Sequence, residues 1–169
     1  MDTKAVILLK DTQGEKAGKR KGLLKSTPSL RTVCRGELLL RRDGETAHNF
    51  KVASDPSLTL HCTKDGVTPL SDYQFRLLEP IISREARYNS FQKGILGWAS
   101  ELKKDDYAYI VLLTNLIQEQ KVLVAIRYIG SLQNKPGIWF GAEIMVCIRY
   151  YSKTTNCSIF TVFQFSTGS

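Results

Sequence analysis

The side chains with the most reactive chemistry in this 169-residue chain are its thiols and imidazoles, at Cys34, Cys62, Cys147, Cys157, His48 and His61. A cysteine hydrolase needs a thiol beside a histidine that a third group holds in place. The adjacent pair His61-Cys62 does not meet this need, because neighbours on a strand point to opposite faces. No C-x-x-C pair occurs and histidines are few, so the sequence predicts neither catalysis nor a structural zinc or other cofactor site.

Basic side chains form a second chemically distinctive group, and the formal net charge is +8. Residues 1–42 hold eleven Lys or Arg and four Asp or Glu, a net of +7, which leaves +1 for the rest. The densest part is a Gly-spaced segment containing Lys16, Lys19, Arg20, Lys21 and Lys25. We expect this basic patch to be a solvated loop between two strands, which either steers acidic partners or only aids solubility. Few aromatics interleave with it, so specific nucleic-acid binding is not expected.

The elements that must position these side chains follow from hydrophobic runs and turn signals. Short apolar runs at 5–10, 36–42 and 58–62 predict strands, and Pro69 is expected to break the chain after them. Ser71 and Ser83 are predicted helix N-caps, and the second helix should stop near Gly94. A further helical turn over 95–102 is expected to pack Trp98 inward. After a charged turn at 103–106, a β-barrel should begin at 107–113.

Two stretches near the C-terminal end predict a hairpin of a small β-barrel. The first, 122–130, sets Arg127 between apolar neighbours and ends at Gly130. The second flanks Trp139 with Gly137 two residues before it and Gly141 two residues after it. Bulky aromatics would then pack where the backbone bends or is closely approached.

These stretches, Arg127-Tyr128-Ile129-Gly130 and Gly137-Ile138-Trp139-Phe140-Gly141-Ala142-Glu143-Ile144, resemble the opening strands of a CAP-Gly domain. That family has an SH3-like barrel whose aromatic groove binds acidic, aromatic-ended C-terminal tails, such as those of tubulin and end-binding proteins. The resemblance implies that the groove residues are Trp139, Phe140, Arg127, Gly137 and Gly141. The family's G-K-N-D-G loop, whose Lys and Asn touch the ligand, does not occur after Ile144.

The segment upstream of the hairpin extends the resemblance. Tyr73-Gln74-Phe75-Arg76-Leu77-Leu78 and the run from Ser83 to Lys93 are similar to the region before the first CAP-Gly domain of the cylindromatosis-type (CYLD) deubiquitinases. The resemblance, from about Tyr73 to Ile144, implies an N-terminal fragment of such a ubiquitin carboxyl-terminal hydrolase, ending inside its first CAP-Gly domain. That family regulates NF-κB signalling, and its catalytic residues lie in a C-terminal domain absent here, so this chain is not expected to be an enzyme.

The expected fold is therefore α+β, in four parts. A basic β-rich region at 1–68 and a helical connector at 69–104 precede a partial CAP-Gly-like barrel at 105–144. A divergent tail occupies 145–169 and contains no Asp or Glu. One account of the tail is a strand carrying Ile159, Thr161, Phe163 and Phe165 that completes the barrel. The other, which we favour, is that the CAP-Gly-like sequence stops after Ile144 and the tail is an alternative end or a gene-model artefact.

The expected function is a non-catalytic protein-binding module that recognises acidic tails of the microtubule or adaptor type. One alternative is a fragment of a cysteine deubiquitinase for lysine-63-linked or linear chains whose catalytic domain is missing. Another is a basic nucleic-acid-binding barrel, whose affinity would depend steeply on salt. No apolar run has the length of a signal peptide or a membrane span, so a cytoplasmic location without membrane binding is expected. The resemblance adds a cytoskeletal association.

Overall fold

The computed structural model describes residues 4–16, 29–41, 48–114, 118–145 and 160–163. Within these ranges the fold is mixed and rich in β-structure, with strands in two antiparallel sheets and three short helices. The expectation of a mixed α and β fold is therefore confirmed at this coarse level. No helix in the described ranges is long and apolar enough to cross a membrane.

The first sheet contains seven strands in the order β3-β2-β6-β5-β4-β1-β7. They are β1 (Lys4–Leu8), β2 (Thr12–Lys16), β3 (Ser29–Val33), β4 (Leu38–Arg41), β5 (Asn49–Val52), β6 (Leu58–His61) and β7 (Val67–Leu70). The two end strands contribute Val33 and Val67 to the same hydrophobic cluster, so the sheet curls into a half-barrel.

Strand β1 is buried on both faces. Val6 and Leu8 belong to the cluster inside the half-barrel, whereas Ile7 belongs to a second cluster on the outer face. This double burial explains why β1 reads as a continuous apolar run rather than an alternating one, a pattern typical of strands covered on both sides.

Pro69 lies inside β7, directly opposite Val6, so the expectation that it breaks the chain is wrong. β7 stands at the end of the sheet order, and proline is tolerated on an edge strand because the missing N–H costs no ladder bond on the outer side. The domain boundary expected after residue 68 falls within this strand.

Three helices follow: α1 (Asp72–Leu78), α2 (Arg84–Gln92) and α3 (Ile95–Glu101). Both predicted N-caps are confirmed. Ser71 and Gln74 form a capping box, in which the Ser71 hydroxyl accepts from the Gln74 N–H at 3.1 Å and the Gln74 side chain accepts from the Ser71 N–H at 3.0 Å. The Ser83 hydroxyl accepts from the Ala86 N–H at the start of α2.

Trp98 on α3 is 43% exposed, so the expectation that it packs inward is wrong. The inward positions of α3 belong to Leu96 and Ala99, which are buried and lie three residues apart on one helix face. The small Ala99 side chain allows the helix to approach the core closely, and Trp98, one residue before it, is turned about 100° away.

The second sheet has the order β11-β10-β9-β8. Its strands are β8 (Tyr107–Thr114), β9 (Gln118–Gly130), β10 (Trp139–Ile144) and β11 (Phe160–Phe163). The predicted hairpin is confirmed as the antiparallel pair β9 and β10. Four tail residues, 160–163, pair with β10, as the first account of the tail expects. Ile159 and Phe165 lie outside the described residues.

One hydrophobic cluster joins all three parts of the chain. It includes Ile7 and Leu38 of the first sheet, Leu78 of α1, and Val124 and Phe140 of the second sheet. The helices are therefore a shared layer between the outer face of the half-barrel and the second sheet, and they pack against both.

Candidate functional site

The loop between β9 and β10 positions Trp139. Gly137 in this loop has φ of +82°, and a Cβ there would lie 2.5 Å from the Arg76 carbonyl oxygen and 2.4 Å from Pro80 Cδ. The next residue, Ile138, donates its N–H to the same Arg76 carbonyl at 2.8 Å. The loop backbone is thus held against the end of α1 at a distance that only glycine permits, and the predicted close approach is confirmed for Gly137.

Trp139 is half-buried, and both its polar and aromatic parts have contacts. The indole Nε1 donates to the Pro136 carbonyl oxygen at 2.9 Å. The Lys135 ammonium lies 4.8 Å from the centre of the indole ring, within the range of a cation–π interaction. The indole is therefore fixed in orientation and carries a positive charge on its ring.

A cleft of about 510 Å³ lies beside this indole and is lined by residues from three separate regions. We call it the Trp139 cleft, and its principal residues are Glu37, Glu79, Pro80, Ile82, Arg84, Arg87, Lys135, Pro136 and Trp139. Ile82, between α1 and α2, is 88% exposed. Ile82 therefore adds exposed apolar surface to a cleft whose wall also contains the half-buried indole.

A buried carboxylate lies in the wall of the Trp139 cleft. The Glu37 side chain is 3% exposed, and its Oε2 accepts from Arg84 Nε at 2.6 Å while its Oε1 lies 3.4 Å from Arg87 Nη1. The Ser54 hydroxyl adds a hydrogen bond to Oε1 at 3.3 Å. Burial lowers the pKa of Arg87, and the charge of Glu37 opposes this effect. Arg87 also donates to the Ile81 carbonyl oxygen.

Glu37 is a site residue that the sequence pattern did not predict, although two signals for it are present. Glu37 immediately precedes the apolar run of β4, and Arg84 and Arg87 are three residues apart on one helix face. An acidic residue beside a buried strand needs a cationic partner, since an unpaired buried charge is costly. The two signals are 47 residues apart in the chain, and only the folded structure joins them.

Gly141 and Arg127 lie at an irregularity in the hairpin. Gly141 is paired with Tyr128, whereas the next residue, Ala142, is paired with Ile126, so Arg127 is the extra residue of a β-bulge. A Cβ at Gly141 would lie 3.0 Å from Tyr128 Cβ. Gly141 therefore serves close packing across the hairpin.

The Arg127 guanidinium is held by two carboxylates. Its Nε donates to Glu143 Oε2 at 2.8 Å and its Nη1 to Asp105 Oδ1 at 2.6 Å. These hydrogen bonds, first that of Glu143 and then that of Asp105, raise the pKa of Arg127. The structure therefore places Arg127 between β10 and the turn before β8, and not with Trp139.

Phe140, expected in the aromatic groove, is 1% exposed and belongs to the core cluster shared by the three parts of the chain. Successive residues of a strand point to opposite faces, so Trp139 and Phe140 cannot both face the same side of β10. The expectation that Phe140 contacts a ligand is therefore corrected: its place is structural, and Trp139 is the aromatic residue at the cleft.

Most of the expected basic patch, comprising Lys19, Arg20, Lys21 and Lys25, lies outside the described residues. Lys16 ends β2, where its ammonium pairs with Asp55 Oδ2 at 3.0 Å. Hydrogen bonds from Ser57 and then from Lys16 lower the pKa of Asp55. Lys16 thus belongs to a local ion pair on the half-barrel.

His61, the last residue of β6, is exposed and the next residue, Cys62, is buried, so the two side chains face apart as the sequence predicts. His48 Nδ1 lies 3.2 Å from the backbone carbonyl of Cys62. Burial raises the pKa of the Cys62 thiol, which disfavours the nucleophilic thiolate. Cys147 and Cys157 lie outside the described residues. Among the residues that are described, no group of three or more His, Cys, Asp or Glu could hold a metal ion.

Comparison of the chain with models of known protein families, with curated proteins and with solved structures found no match. The likeness to CAP-Gly and cylindromatosis-type proteins therefore depends on the quoted motifs alone.

Proposed function

We propose that this chain is a non-catalytic protein-binding module that captures acidic, aromatic-ended C-terminal tails in the Trp139 cleft. The observation that supports the proposal most directly is the half-buried Trp139 beside the 88% exposed Ile82, with Lys135 and Arg84 also lining the cleft. Binding hot spots are enriched in tryptophan and arginine and pair an apolar anchor with a polar rim.

The contacts of the cleft suggest how such a tail would bind. Its aromatic side chain would pack between the indole of Trp139 and the side chain of Ile82, and would remove the latter from water. Its carboxylates would then pair with Lys135, whose ammonium already lies over the indole, and with Arg84, which Glu37 holds in place. Glu79 also lines the cleft and would repel an acidic tail.

The test uses intrinsic fluorescence, because the chain contains only two tryptophans. In a Trp98→Phe variant, Trp139 is the remaining indole and reports directly on its cleft. We expect a short acidic peptide ending in Tyr to change the Trp139 emission with saturation. The same peptide ending in Ala should bind more weakly, because it lacks the aromatic anchor.

A matched pair of variants distinguishes the effect of losing the cleft tryptophan from the general effect of losing any tryptophan. By fluorescence anisotropy of a labelled peptide, Trp139→Ala should weaken binding about tenfold or more, whereas Trp98→Ala should leave it unchanged. Glu79→Gln should tighten binding about threefold, since it removes one repulsive charge. Equal affinities for wild type and Trp139→Ala, or no saturable binding, would remove the basis of the proposal.

At the level of the family, we propose that this module is related to the region around the first CAP-Gly domain of cylindromatosis-type regulators. The order of helices followed by a Gly-flanked tryptophan hairpin supports this relation. Tubulin-type or end-binding-type tails in the cytoplasm, or signalling adaptors, are then the partners to test. Incubation of the chain with lysine-63-linked diubiquitin should give no cleavage; cleavage would contradict the proposal that this chain is non-catalytic.

A further inference from the structure

The two histidines of the chain lie close together where β5 and β6 pair, at the end opposite their connecting loop. Asn49 is directly opposite His61 in the strand register, and the Cys62 N–H donates to the His48 carbonyl oxygen at 2.9 Å. The centres of the two imidazole rings are 5.6 Å apart, and the ring planes are inclined by 52°. His61 is exposed and His48 is half-buried, so solvent reaches these rings. We call them the histidine pair.

A hydrogen bond fixes the tautomer of each ring in the histidine pair. His48 Nδ1 lies 3.2 Å from the Cys62 carbonyl oxygen, and His61 Nδ1 lies 3.0 Å from Asn49 Oδ1. Both partners are carbonyl oxygens, which accept hydrogen bonds and cannot donate them, so Nδ1 carries the proton in each neutral ring. The lone pair is therefore on Nε2 in both rings. Imidazoles that bind metal ions are oriented in the same way, by an acceptor that holds the N–H of the other ring nitrogen.

The separation of the rings matches the distance that one shared metal ion requires. A Zn–N bond is about 2.0–2.1 Å long, and the ring centre lies roughly 1.1 Å beyond the nitrogen. Two imidazoles on one tetrahedral ion therefore have ring centres about 5.2 Å apart. The observed 5.6 Å corresponds to an N–Zn–N angle of about 120°, only slightly wider than tetrahedral.

We propose that His48 and His61 form a two-imidazole site for a divalent transition-metal ion of the class of Zn²⁺ and Cu²⁺. Each ring binds through Nε2, and water fills the other coordination positions. Two protein ligands are fewer than the three of a catalytic zinc site, so the bound ion is exchangeable. Lys4 and Lys64 line a cavity that His48 also lines, and their positive charges oppose a cation. The affinity therefore comes from coordination bonds to nitrogen, which excludes Mg²⁺ and Ca²⁺, since these ions prefer oxygen ligands.

Isothermal titration calorimetry of the full chain with Zn²⁺ is the first test. Thiols also bind Zn²⁺, so the titration uses a background in which Cys34, Cys147 and Cys157 are replaced by serine. One equivalent of Zn²⁺ should bind, and Mg²⁺ at the same concentration should give no saturable heat. Removal of an outer-shell partner costs about 10–100-fold in metal affinity, so loss of a ligand should cost at least as much. His48→Ala and His61→Ala should therefore each weaken Zn²⁺ binding about tenfold or more.

NMR of the ring nitrogens is the second test, and it needs no histidine variant, so it decides the matter even where such a variant unfolds. In the metal-free chain above pH 8, both rings should show a protonated Nδ1 and an unprotonated Nε2. Zn²⁺ should shift the Nε2 resonances strongly and the Nδ1 resonances little. Asn49→Ala, which removes the acceptor that orients His61, should weaken Zn²⁺ binding about tenfold. The matched control Asn89→Ala, on α2, should bind as the parent chain does.

Equal Zn²⁺ affinities for the parent chain and either histidine variant would overturn the proposal, because the ion would then bind elsewhere. A protonated Nε2 on either ring of the metal-free chain would do the same, and so would Nε2 resonances that Zn²⁺ leaves in place. Trp139→Ala should leave Zn²⁺ binding unchanged, so failure of the proposed tail binding and failure of this inference can be told apart.

Discussion

The buried carboxylate of Glu37 offers the most demanding test of how the Trp139 cleft is held together. In Glu37→Gln the side chain keeps its shape and one acceptor oxygen but loses its charge. Arg87, whose side chain is 12% exposed, then loses its ion-pair partner. Arg84, which is half-exposed, can instead be solvated when its partner is lost.

The expected loss of stability follows from these burials. Removing one partner of a buried ion pair costs about 3–5 kcal/mol, whereas exposed pairs contribute about 0.2–1 kcal/mol. Because the Gln side chain retains an acceptor, the lower value applies, and Glu37→Gln should reduce the free energy of unfolding by about 3 kcal/mol. With an m-value of about 2 kcal/mol/M in urea, the unfolding midpoint should fall by about 1.5 M.

Equilibrium urea unfolding followed by circular dichroism measures this shift, and two double-mutant cycles apportion it. Glu37→Gln combined with Arg87→Ala should show a coupling energy of about 2 kcal/mol, and combined with Arg84→Ala less than about 1 kcal/mol. A midpoint shift below about 0.5 M for Glu37→Gln would refute the reasoning, since it corresponds to only about 1 kcal/mol. A larger coupling with Arg84 than with Arg87 would refute the assignment of the buried partner.

Three further predictions concern the scaffold. Gly137→Ala should lower the free energy of unfolding in urea by more than about 2 kcal/mol, because its positive φ and the backbone at the end of α1 leave no room for a Cβ. The control, Gly97→Ala in α3, has open space around it and should be neutral or stabilising by up to about 1 kcal/mol. Asp65, whose pKa is lowered to about 2 chiefly by a hydrogen bond from Lys10, should titrate near that value by NMR and shift upward in Lys10→Met. Its folded pKa is below the unfolded one, so its stabilising effect is present at neutral pH and lost as the pH falls through about 4 to 2. Phe140→Ala should cost about 3–5 kcal/mol in the same unfolding assay, as expected for an aromatic residue removed from the core.

The features that sequence alone predicted are the local ones. Ser71 and Ser83 were predicted as N-caps because a cap depends on residues within one helical turn. The hairpin was predicted because alternation and glycine positions are readable along two short stretches. The close approach of the backbone at Gly137 is also a local feature, because the glycines that flank the tryptophan already indicate it.

The features that sequence could not predict depend on what packs against each element. Alternation indicates that one of Trp139 and Phe140 faces the core, but it does not indicate which one, because that depends on the layer beneath β10. Trp98 has the same ambiguity on α3, where the small Ala99 takes the buried position. Pro69 predicts the end of a strand unless the strand that contains it is known to be an edge strand, where proline is tolerated.

The placement of the Trp139 cleft bears on how it would function. Each of its three walls is formed by a residue that is adjacent in sequence to a buried residue of the shared cluster. Glu37 precedes Leu38 and Ile82 follows Ile81. Trp139 lies between Ile138 and Phe140. The walls cannot move independently without disturbing one shared cluster, so little ordering entropy would oppose the tail binding that we propose. Truncation of Ile82, which is 88% exposed, should therefore reduce peptide affinity with little change in stability. Truncation of Phe140 should reduce both together, because it loosens the layer that holds the indole in place.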